Sequence, residues 1–317
     1  MKKAFTLLEL MVVIVIIGLL SHMGIQMTLN IYRSYLQSRA INTLETQTEL
    51  VLEQISKRLA IRVRGSTIGK QPGGRPPNLD DGAFVSTSAA GLNNTFSILE
   101  WVTYSYESFQ DGGWSGFADL SSPNTAIASI DENVRSGTVS TPGSRLSISA
   151  AAPNFSADQN IRDLTNNVAS IANGNIGIVF KNMSLNSATS FGYNRTNANS
   201  VGTIVANGQN NILSIANYRD ALISEQYYLL HTAYAVVPIK NQEEDTDFSL
   251  FLRYNFRPWA GEEYADGNSD LLATNVTRFN FTEANGIIVL KLCIRDAGRS
   301  LEPAEAETTV CKTKAIY

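Results

Sequence analysis

The chain opens with the stretch that decides its fold, Met1-Lys2-Lys3-Ala4-Phe5-Thr6-Leu7-Leu8-Glu9-Leu10-Met11-Val12-Val13-Ile14-Val15-Ile16-Ile17-Gly18-Leu19-Leu20. Two lysines precede an apolar run that continues to about Met27, interrupted by Ser21, His22 and Gln26. A helix needs about 20 mostly apolar residues to cross a bilayer core of about 30 Å. The length of the run therefore predicts a single membrane pass.

A single acid, Glu9, lies inside this run. A carboxylate there costs about 2.5–3.5 kcal/mol on insertion scales, less near the interface, and usually marks a functional pairing. A secretory signal would end in an A-x-A-like cleavage site, which the segment 19–24 lacks. A lipoprotein needs a cysteine just after the apolar run, but the first cysteine is Cys293. A plain membrane anchor explains the length and the lysines, but not the acid.

The segment 3–10, Lys-Ala-Phe-Thr-Leu-Leu-Glu-Leu, closely resembles the leader motif of type IV pilins and type II secretion pseudopilins. In that family a prepilin peptidase cuts just before the Phe and methylates the new amino terminus. The resemblance implies cleavage between Ala4 and Phe5, an N-methylated Phe5, and Glu9 as the family's glutamate. Ala4 stands where the family usually has Gly, which implies equal or slower processing. The likeness is close over about the first 60 residues and loose beyond them.

The resemblance also implies partners. These are the prepilin peptidase, other pilin or pseudopilin subunits, an inner-membrane assembly platform and the lipid bilayer. After cleavage, Phe5 would carry a cationic amine, which a Glu9-type carboxylate of a neighbouring subunit can neutralise, so that each charge offsets the other's desolvation. Such a pair would set the axial register between subunits. The alternative is that Glu9 snorkels to the headgroups and has no role.

The net charge and the cysteine content limit the partners and the cellular compartment expected for this protein. A net charge of −4 argues against a general nucleic-acid binder, so no nucleic-acid partner is expected. Lys2 and Lys3 predict a cytoplasmic N-terminus and a head across the inner membrane, in the periplasm, from where it would reach a filament or the cell surface. In that compartment a disulfide between Cys293 and Cys311 is plausible, and many pilins carry such a C-terminal bridge. Two separate buried thiols are the alternative.

The pattern of elements predicts an α+β fold: a long N-terminal helix packed on an antiparallel β-sheet head, with a large loop-rich β insertion. We divide the chain into a leader (1–4), a transmembrane half-helix (5–27), an amphipathic half-helix (28–64) and an exported head (65–317). In the amphipathic half, apolar or small residues recur three or four apart, broken only at Thr48. They are Leu29, Tyr32, Leu36, Ala40, Leu44, Leu52, Ile55 and Leu59.

The head divides into an insertion at about 110–220, a β-meander at 221–295 and a C-terminal loop at 296–317. Glycines and prolines predict a loop at 69–82. Alternation predicts strands at 95–104, 227–237, 248–256, 276–281 and 287–294, the last two joined by an Asn285-Gly286 turn. Short apolar bursts at 146–148, 176–180, 201–205 and 212–215 predict that the insertion is loop-rich β structure and not disordered, because they are frequent enough to supply a core.

Sites of chemistry are few. His22 and His231 are the only histidines, which makes a catalytic triad or a His-rich metal site implausible and predicts a protein that is not an enzyme and needs no cofactor. The segment 266–270 has the D-x-N-x-D opening of a calcium loop, but it lacks the later Gly and Glu of an EF-hand. A structural calcium ion at Asp266, Asn268 and Asp270 stays open beside a plain polar turn. The tryptophans 101, 114 and 259 stay open as a recognition surface or as core.

A head about twice the bulk of a repeating pilin would crowd a helical lattice. The sequence therefore favours a minor pilin or J-like minor pseudopilin that helps to initiate or cap a type IV pilus or type II secretion filament. The alternative from another class is a tip adhesin or ligand-binding module presented on such a filament.

Overall fold

The computed structural model describes residues 7–73, 82–131, 133–147, 155–181, 185–195, 198–205, 207–220, 222–240, 242, 246–296 and 308–317. Ala4 and Phe5 lie outside these residues. The described elements follow in chain order as α1 (Leu7–Ala60), β1 (Ile68–Lys70), β2 (Phe84–Ser86), β3 (Ile98–Tyr104), α2 (Tyr106–Gln110), β4 (Ala126–Asp131), β5 (Val134–Ser140), α3 (Ala157–Leu164), β6 (Gly177–Phe180), β7 (Gly202–Val205), β8 (Ile212–Tyr218), β9 (Tyr227–Ile239), β10 (Phe248–Phe256), β11 (Asn268–Ala284), β12 (Ile287–Arg295) and β13 (Thr309–Ile316).

The predicted α+β fold is confirmed: one long helix precedes an antiparallel sheet. Helix α1 runs without a proline for 54 residues, about 80 Å at 1.5 Å per residue. It ends at Ala60, earlier than the predicted residue 64, because the chain turns there to pair with β3. The amide of Val63 donates to the carbonyl of Val102 at 2.9 Å, and the amide of Tyr104 donates to the carbonyl of Ile61 at 3.3 Å.

Strand β9 is the centre of the sheet. One of its edges pairs with β10, and the other pairs with β3 over its C-terminal part and with β6 over its N-terminal part. From β9 the sheet continues through β10, β11 and β12 to β13 on one side, and through β6, β7, β8 and β5 to β4 on the other. The strands predicted at 227–237, 248–256, 276–281 and 287–294 lie within β9 to β12. The insertion bursts at 176–180, 201–205 and 212–215 contribute β6, β7 and β8.

The predicted Asn-Gly turn joins β11 to β12. Asn285 and Gly286 both have positive φ, 54° and 77°. Positive φ at both central positions is the geometry of a type I′ turn, whose twist matches that of the flanking strands. This turn fixes the register in which Ala284 faces Ile287 and Arg278 faces Cys293, beyond which the register shifts before Val276.

Three hydrophobic cores hold the head together. The first lies between α1 and the sheet, and the second lies inside the insertion around Trp114. The third lies on the other face of the sheet, because Val236 belongs to the first core while its neighbours Ala235 and Val237 belong to the third. Phe191 and Val201 of the insertion pack into this third core.

Two boundary predictions are corrected. The 296–317 segment is not all loop, because residues 309–316 form β13 along β12, a strand favoured by its β-branched residues Thr309, Val310, Thr313 and Ile316. The loop predicted from 69 begins after Lys70, because β1 pairs with β3 there. The 110–220 insertion is joined to the central sheet, because β6 pairs directly with β9.

Candidate functional site: the N-terminal helix and its contacts with the head

The N-terminal part of α1 stands free of the head. Every residue from Leu7 to Tyr35 is exposed, a length of about 45 Å at 1.5 Å per residue. Most of these side chains are large and apolar, and among the described residues α1 is the one helix long and apolar enough to cross a membrane. So much exposed apolar surface needs a lipid or protein environment.

Polar groups are sparse along this surface. Glu9 lies in the first turn of the described helix, and its side chain is exposed. Further along, Nε2 of Gln26 lies 2.9 Å from Nε2 of His22, one turn earlier, and the hydroxyl of Thr28 donates to the carbonyl of Gly24. His22, Gln26 and Thr28 thus bond within the helix, which lowers their cost in an apolar environment. The cleavage positions Ala4 and Phe5 lie outside the described residues.

The C-terminal part of α1 is seated in the head. Its buried residues begin at Ala40 and include Leu52, Ile55 and Leu59, each at most 1% exposed. Thr48, which breaks the apolar pattern in the sequence, is also fully buried, and its hydroxyl donates to the carbonyl of Leu44 at 2.6 Å. The buried face of α1 therefore continues without interruption from the middle of the helix to its end.

Three ion pairs tie α1 to the edge strand β13. Nζ of Lys312 lies 3.1 Å from Oε2 of Glu49, and Lys314 pairs with Glu53 and, at 3.9 Å, with Oε1 of Glu49. The hydrogen bond from Lys314, followed by its charge, lowers the pKa of Glu53. Exposed pairs contribute little stability individually, but charged side chains also protect a strand edge from pairing with another chain.

A disulfide fastens β13 to the sheet. Cys293 of β12 and Cys311 of β13 face each other in the strand register and are bonded through their Sγ atoms. The strand that carries the lysines facing α1 is thereby linked covalently to its neighbour.

The end of α1 is held by two further contacts. Nε1 of Trp101 donates to the carbonyl of Arg58 at 3.3 Å. Arg62 donates through Nη1 to the carbonyl of Leu59 at 2.9 Å and through Nη2 to the carbonyl of Gly286 at 2.7 Å. Helix, central sheet and the β11–β12 turn therefore meet at one point, and the free part of α1 extends from a rigid seat.

The three tryptophans form no exposed recognition surface. Trp101, Trp114 and Trp259 are 0%, 2% and 8% exposed, and each belongs to a different one of the three cores. Their indole groups donate to backbone carbonyls inside the head. Sequence reasoning could not separate core from surface for these residues, because it depends on which sheet face is covered.

His231 lies buried on β9 beside the guanidinium of Arg257. Burial, followed by the charge of Arg257, lowers the pKa of His231 from its usual 6.5 to about 4. Arg257 is itself buried and pairs with Glu262 at 2.5 Å. A histidine that stays neutral in the core, far in sequence from His22, fits the sequence interpretation of a packed strand residue.

The three calcium candidates lie partly in a turn and partly in a strand. Oδ2 of Asp266 accepts a hydrogen bond from the amide of Glu263 at 2.9 Å, whereas Asn268 and Asp270 belong to β11. Among the described residues, no group of three or more His, Cys, Asp or Glu side chains is arranged to hold a metal ion. Calcium binding at these positions stays a prediction, and a calcium titration of the unfolding temperature with Asp270→Asn as control tests it.

Comparison with known proteins identifies the N-terminus. Residues 1–25 match the family model described as the prokaryotic N-terminal methylation motif. No curated protein and no solved structure matches the chain. The match covers the apolar stretch from which the sequence analysis started, and it supports the type IV pilin and pseudopilin family.

Proposed function

We propose that this chain, a pilin- or pseudopilin-type subunit by its N-terminal methylation motif, is a minor subunit that helps to initiate or cap a type IV pilus or type II secretion filament. The observation that carries the proposal is the continuity of the motif with α1, whose first half is bare and whose second half is buried in the head. Such a helix presents an apolar surface for other subunits while the head stays outside the filament core.

The bare half of α1 suits two environments in succession. In the precursor it would span the inner membrane, with the head in the periplasm. After prepilin peptidase removes residues 1–4, it would leave the bilayer and pack against the helices of other subunits. Both environments are apolar, so the transfer costs little hydrophobic free energy.

Glu9 would guide that transfer. A carboxylate on an apolar helix gains most when a cation neutralises it in the same low-dielectric environment. The methylated amine of Phe5 on a neighbouring subunit is such a cation. The pair would fix the axial register, which apolar packing alone leaves open.

The size of the head supports a minor role. The head carries a second hydrophobic core and five strands, β4 to β8, in the insertion alone. A filament that repeats its major subunit many times has little room for such a lobe around each one. At an end of the filament, the lobe meets fewer neighbours.

The first experiment is an intact-mass measurement, with N-terminal fragment spectra, of the membrane-extracted protein from cells with and without prepilin peptidase. We expect loss of residues 1–4 and a methylated Phe5 only where the peptidase is present. An unprocessed Met1 in both strains would reduce the chain to an anchored ectodomain.

Glu9→Gln tests the assembly step separately from processing. We expect the variant to be cleaved and methylated but to enter filaments poorly, because the amide cannot neutralise the amine of Phe5. Glu45→Gln is the matched control, since Glu45 is an exposed acid on the same helix outside the apolar run. Equal incorporation of both variants would contradict the pairing.

A tip adhesin or ligand-binding module is the second candidate. The observation that favours it is the exposure of large apolar side chains on the insertion, Ile130 at 70% and Leu222 at 67%. Ile130→Ser with Leu222→Ser separates the candidates better than deleting 110–220, because that deletion would remove β6 and damage the head. A binding role predicts normal filament numbers with weaker attachment, whereas an assembly role predicts unchanged attachment per filament.

A further inference from the structure

A pocket of about 450 Å³ lies where α1 ends against the sheet. Arg62 and Arg64 line it from the segment after α1, Tyr104 from β3, Lys181 from the end of β6 and Tyr228 from β9. Its volume lies within the range of about 300–1,000 Å³ that is typical of small-ligand sites. We call it the junction pocket, because helix, central sheet and insertion all contribute to it.

Three basic side chains, those of Arg62, Arg64 and Lys181, line the junction pocket. No Asp or Glu lines it among the described residues, and Tyr317, the last residue of the sequence, lines it as well. No ion pair joins these three cations to a carboxylate among the described residues. Lys181 instead lies over the ring of Tyr228 at 4.2 Å. Three cations facing one cavity raise the local concentration of anions.

Burying the charged guanidinium of Arg62 costs free energy when no ligand is bound. Arg62 is 7% exposed, and its hydrogen-bond acceptors are the carbonyls of Leu59 and Gly286. Burial lowers the pKa of Arg62, and the charge of Glu283 opposes that effect. Glu283, however, accepts a hydrogen bond from Thr87. A buried guanidinium without a bonded carboxylate is rare unless a further anion is at hand.

Six basic side chains of the head pair with carboxylates within the described residues: Arg162, Arg195, Arg257, Arg295, Lys312 and Lys314. The three cations of the junction pocket have no such partner there, a property that they share with Arg253, Arg278 and Lys291. What sets the three apart is that they line one cavity together with two stacked tyrosines.

The pocket wall is firm and distant from the bilayer. The rings of Tyr104 and Tyr228 stack at 4.6 Å, and Tyr104 also meets the edge of Trp114. About 80 Å of helix separate Leu7 from Ala60, so the pocket lies about 50 Å beyond a bilayer core crossed by the first half of α1. Lipid headgroups are out of its reach. An anion must come from the compartment of the head.

We propose that the junction pocket binds an anionic group, a carboxylate or a phosphate, carried by a ligand of about monosaccharide size. Arg64 and Lys181 reach the ligand from the exposed side, while Arg62 supplies positive potential from below. Tyr104 and Tyr228 provide hydroxyl groups and an apolar wall. Carboxylate and phosphate oxygens are the acceptors that guanidinium and ammonium groups bind most strongly.

The test is calorimetric titration of the full-length protein in neutral detergent with sodium glucuronate and, separately, with inorganic phosphate. Glucose is the neutral control, and sodium chloride matches the ionic strength. The variants are Arg64→Gln and Lys181→Gln, which leave the buried Arg62 in place. Lys291→Gln is the matched control, because Lys291 lines a second cationic cavity of about 800 Å³.

We expect saturable binding of at least one anion and none of glucose. Arg64→Gln and Lys181→Gln should each weaken binding about tenfold or more, since each removes a charge-assisted hydrogen bond. The anion that binds more tightly, glucuronate or phosphate, identifies the natural ligand as a sugar acid or as a phosphate. Absence of saturation with both anions, or loss of binding in Lys291→Gln alone, would overturn the proposal. The result does not depend on processing or filament formation, so it stands apart from the proposed function.

Discussion

His231 makes the stability of the head depend on pH. Its pKa in the folded protein is about 4, against 6.5 for an ordinary histidine, because burial and the charge of Arg257 disfavour the imidazolium. Above pH 6.5, both the folded and the unfolded state hold a neutral imidazole. As the pH falls below 6.5, the unfolded state binds a proton that the folded state binds only near pH 4. Stability is therefore fully present above pH 6.5 and is lost between pH 6.5 and 4.

The size of the effect follows from the gap between the two pKa values. At about 1.4 kcal/mol per pH unit, it corresponds to about 3 kcal/mol in total, of which roughly 2 kcal/mol is lost by pH 5. That loss is large beside a domain stability of about 5–15 kcal/mol. His231→Gln removes the titrating group, so the variant should lack this part of the pH dependence.

Urea unfolding of the full-length protein in detergent measures the effect at pH 7.5 and at pH 5. The emission of the buried tryptophans reports on all three cores. Carboxylates also titrate in this range, but they contribute equally to wild type and variant, so the difference between the two proteins isolates His231. His22→Gln is the matched control, since His22 lies on the exposed part of α1. If wild type and His231→Gln lost the same stability between the two pH values, the argument from burial would be refuted.

Three further predictions concern stability. Replacing Cys293 and Cys311 by serine removes a disulfide that spans a sequence separation of 18, and should lower the free energy of unfolding by about 3 kcal/mol. The wild-type protein with its disulfide reduced should match the variant in urea unfolding. Ile55→Ala should lower the free energy of unfolding by about 2–5 kcal/mol, because the side chain is fully buried against the sheet. Leu50→Ala, at a position 57% exposed on the same helix, should lower it far less. Equal losses in the two variants would contradict the packing of α1 against the head. Gly286→Ala should lower the free energy of unfolding by about 1–2 kcal/mol. The cause is the backbone φ of 77°, because no atom lies within 4 Å of the added methyl group. Gly91→Ala, which also has open space around the methyl group but no positive φ, should leave the free energy of unfolding unchanged.

The sequence alone determined the elements whose signals are local. An apolar run after two lysines defines the first half of α1, and spacings of three and four residues define the second half. Alternation with an Asn-Gly turn defines the β11–β12 hairpin, whose two positive φ values match the turn that this pair of residues prefers. The processing motif is equally local, which is why the segment 1–25 is recognised by family comparison while the rest of the chain is not.

Short segments with mixed signals misled the sequence analysis. The segment 309–316 was predicted from the sequence to be part of a C-terminal loop, but it forms a strand because the edge of β12 is available for pairing. The register of that pairing brings Cys311 opposite Cys293. Thr48 reads as a break in the seam, yet it is buried because a helix carbonyl satisfies its hydroxyl. The β-branched residues of 309–316 favour extended backbone, but local sequence does not show the partner on which each outcome depends, because the fold supplies it.

The sequence by itself determined that this chain has a long, apolar N-terminal helix, an α+β head and only two histidines. Only the tertiary structure decided which side chains share a site. Arg62, Arg64, Tyr104, Lys181 and Tyr228 span more than 160 positions of sequence, and they line one pocket because β9 pairs with both β3 and β6 beside the end of α1. Periodicity determines which face of an element is apolar, whereas long-range strand pairing determines what that face meets.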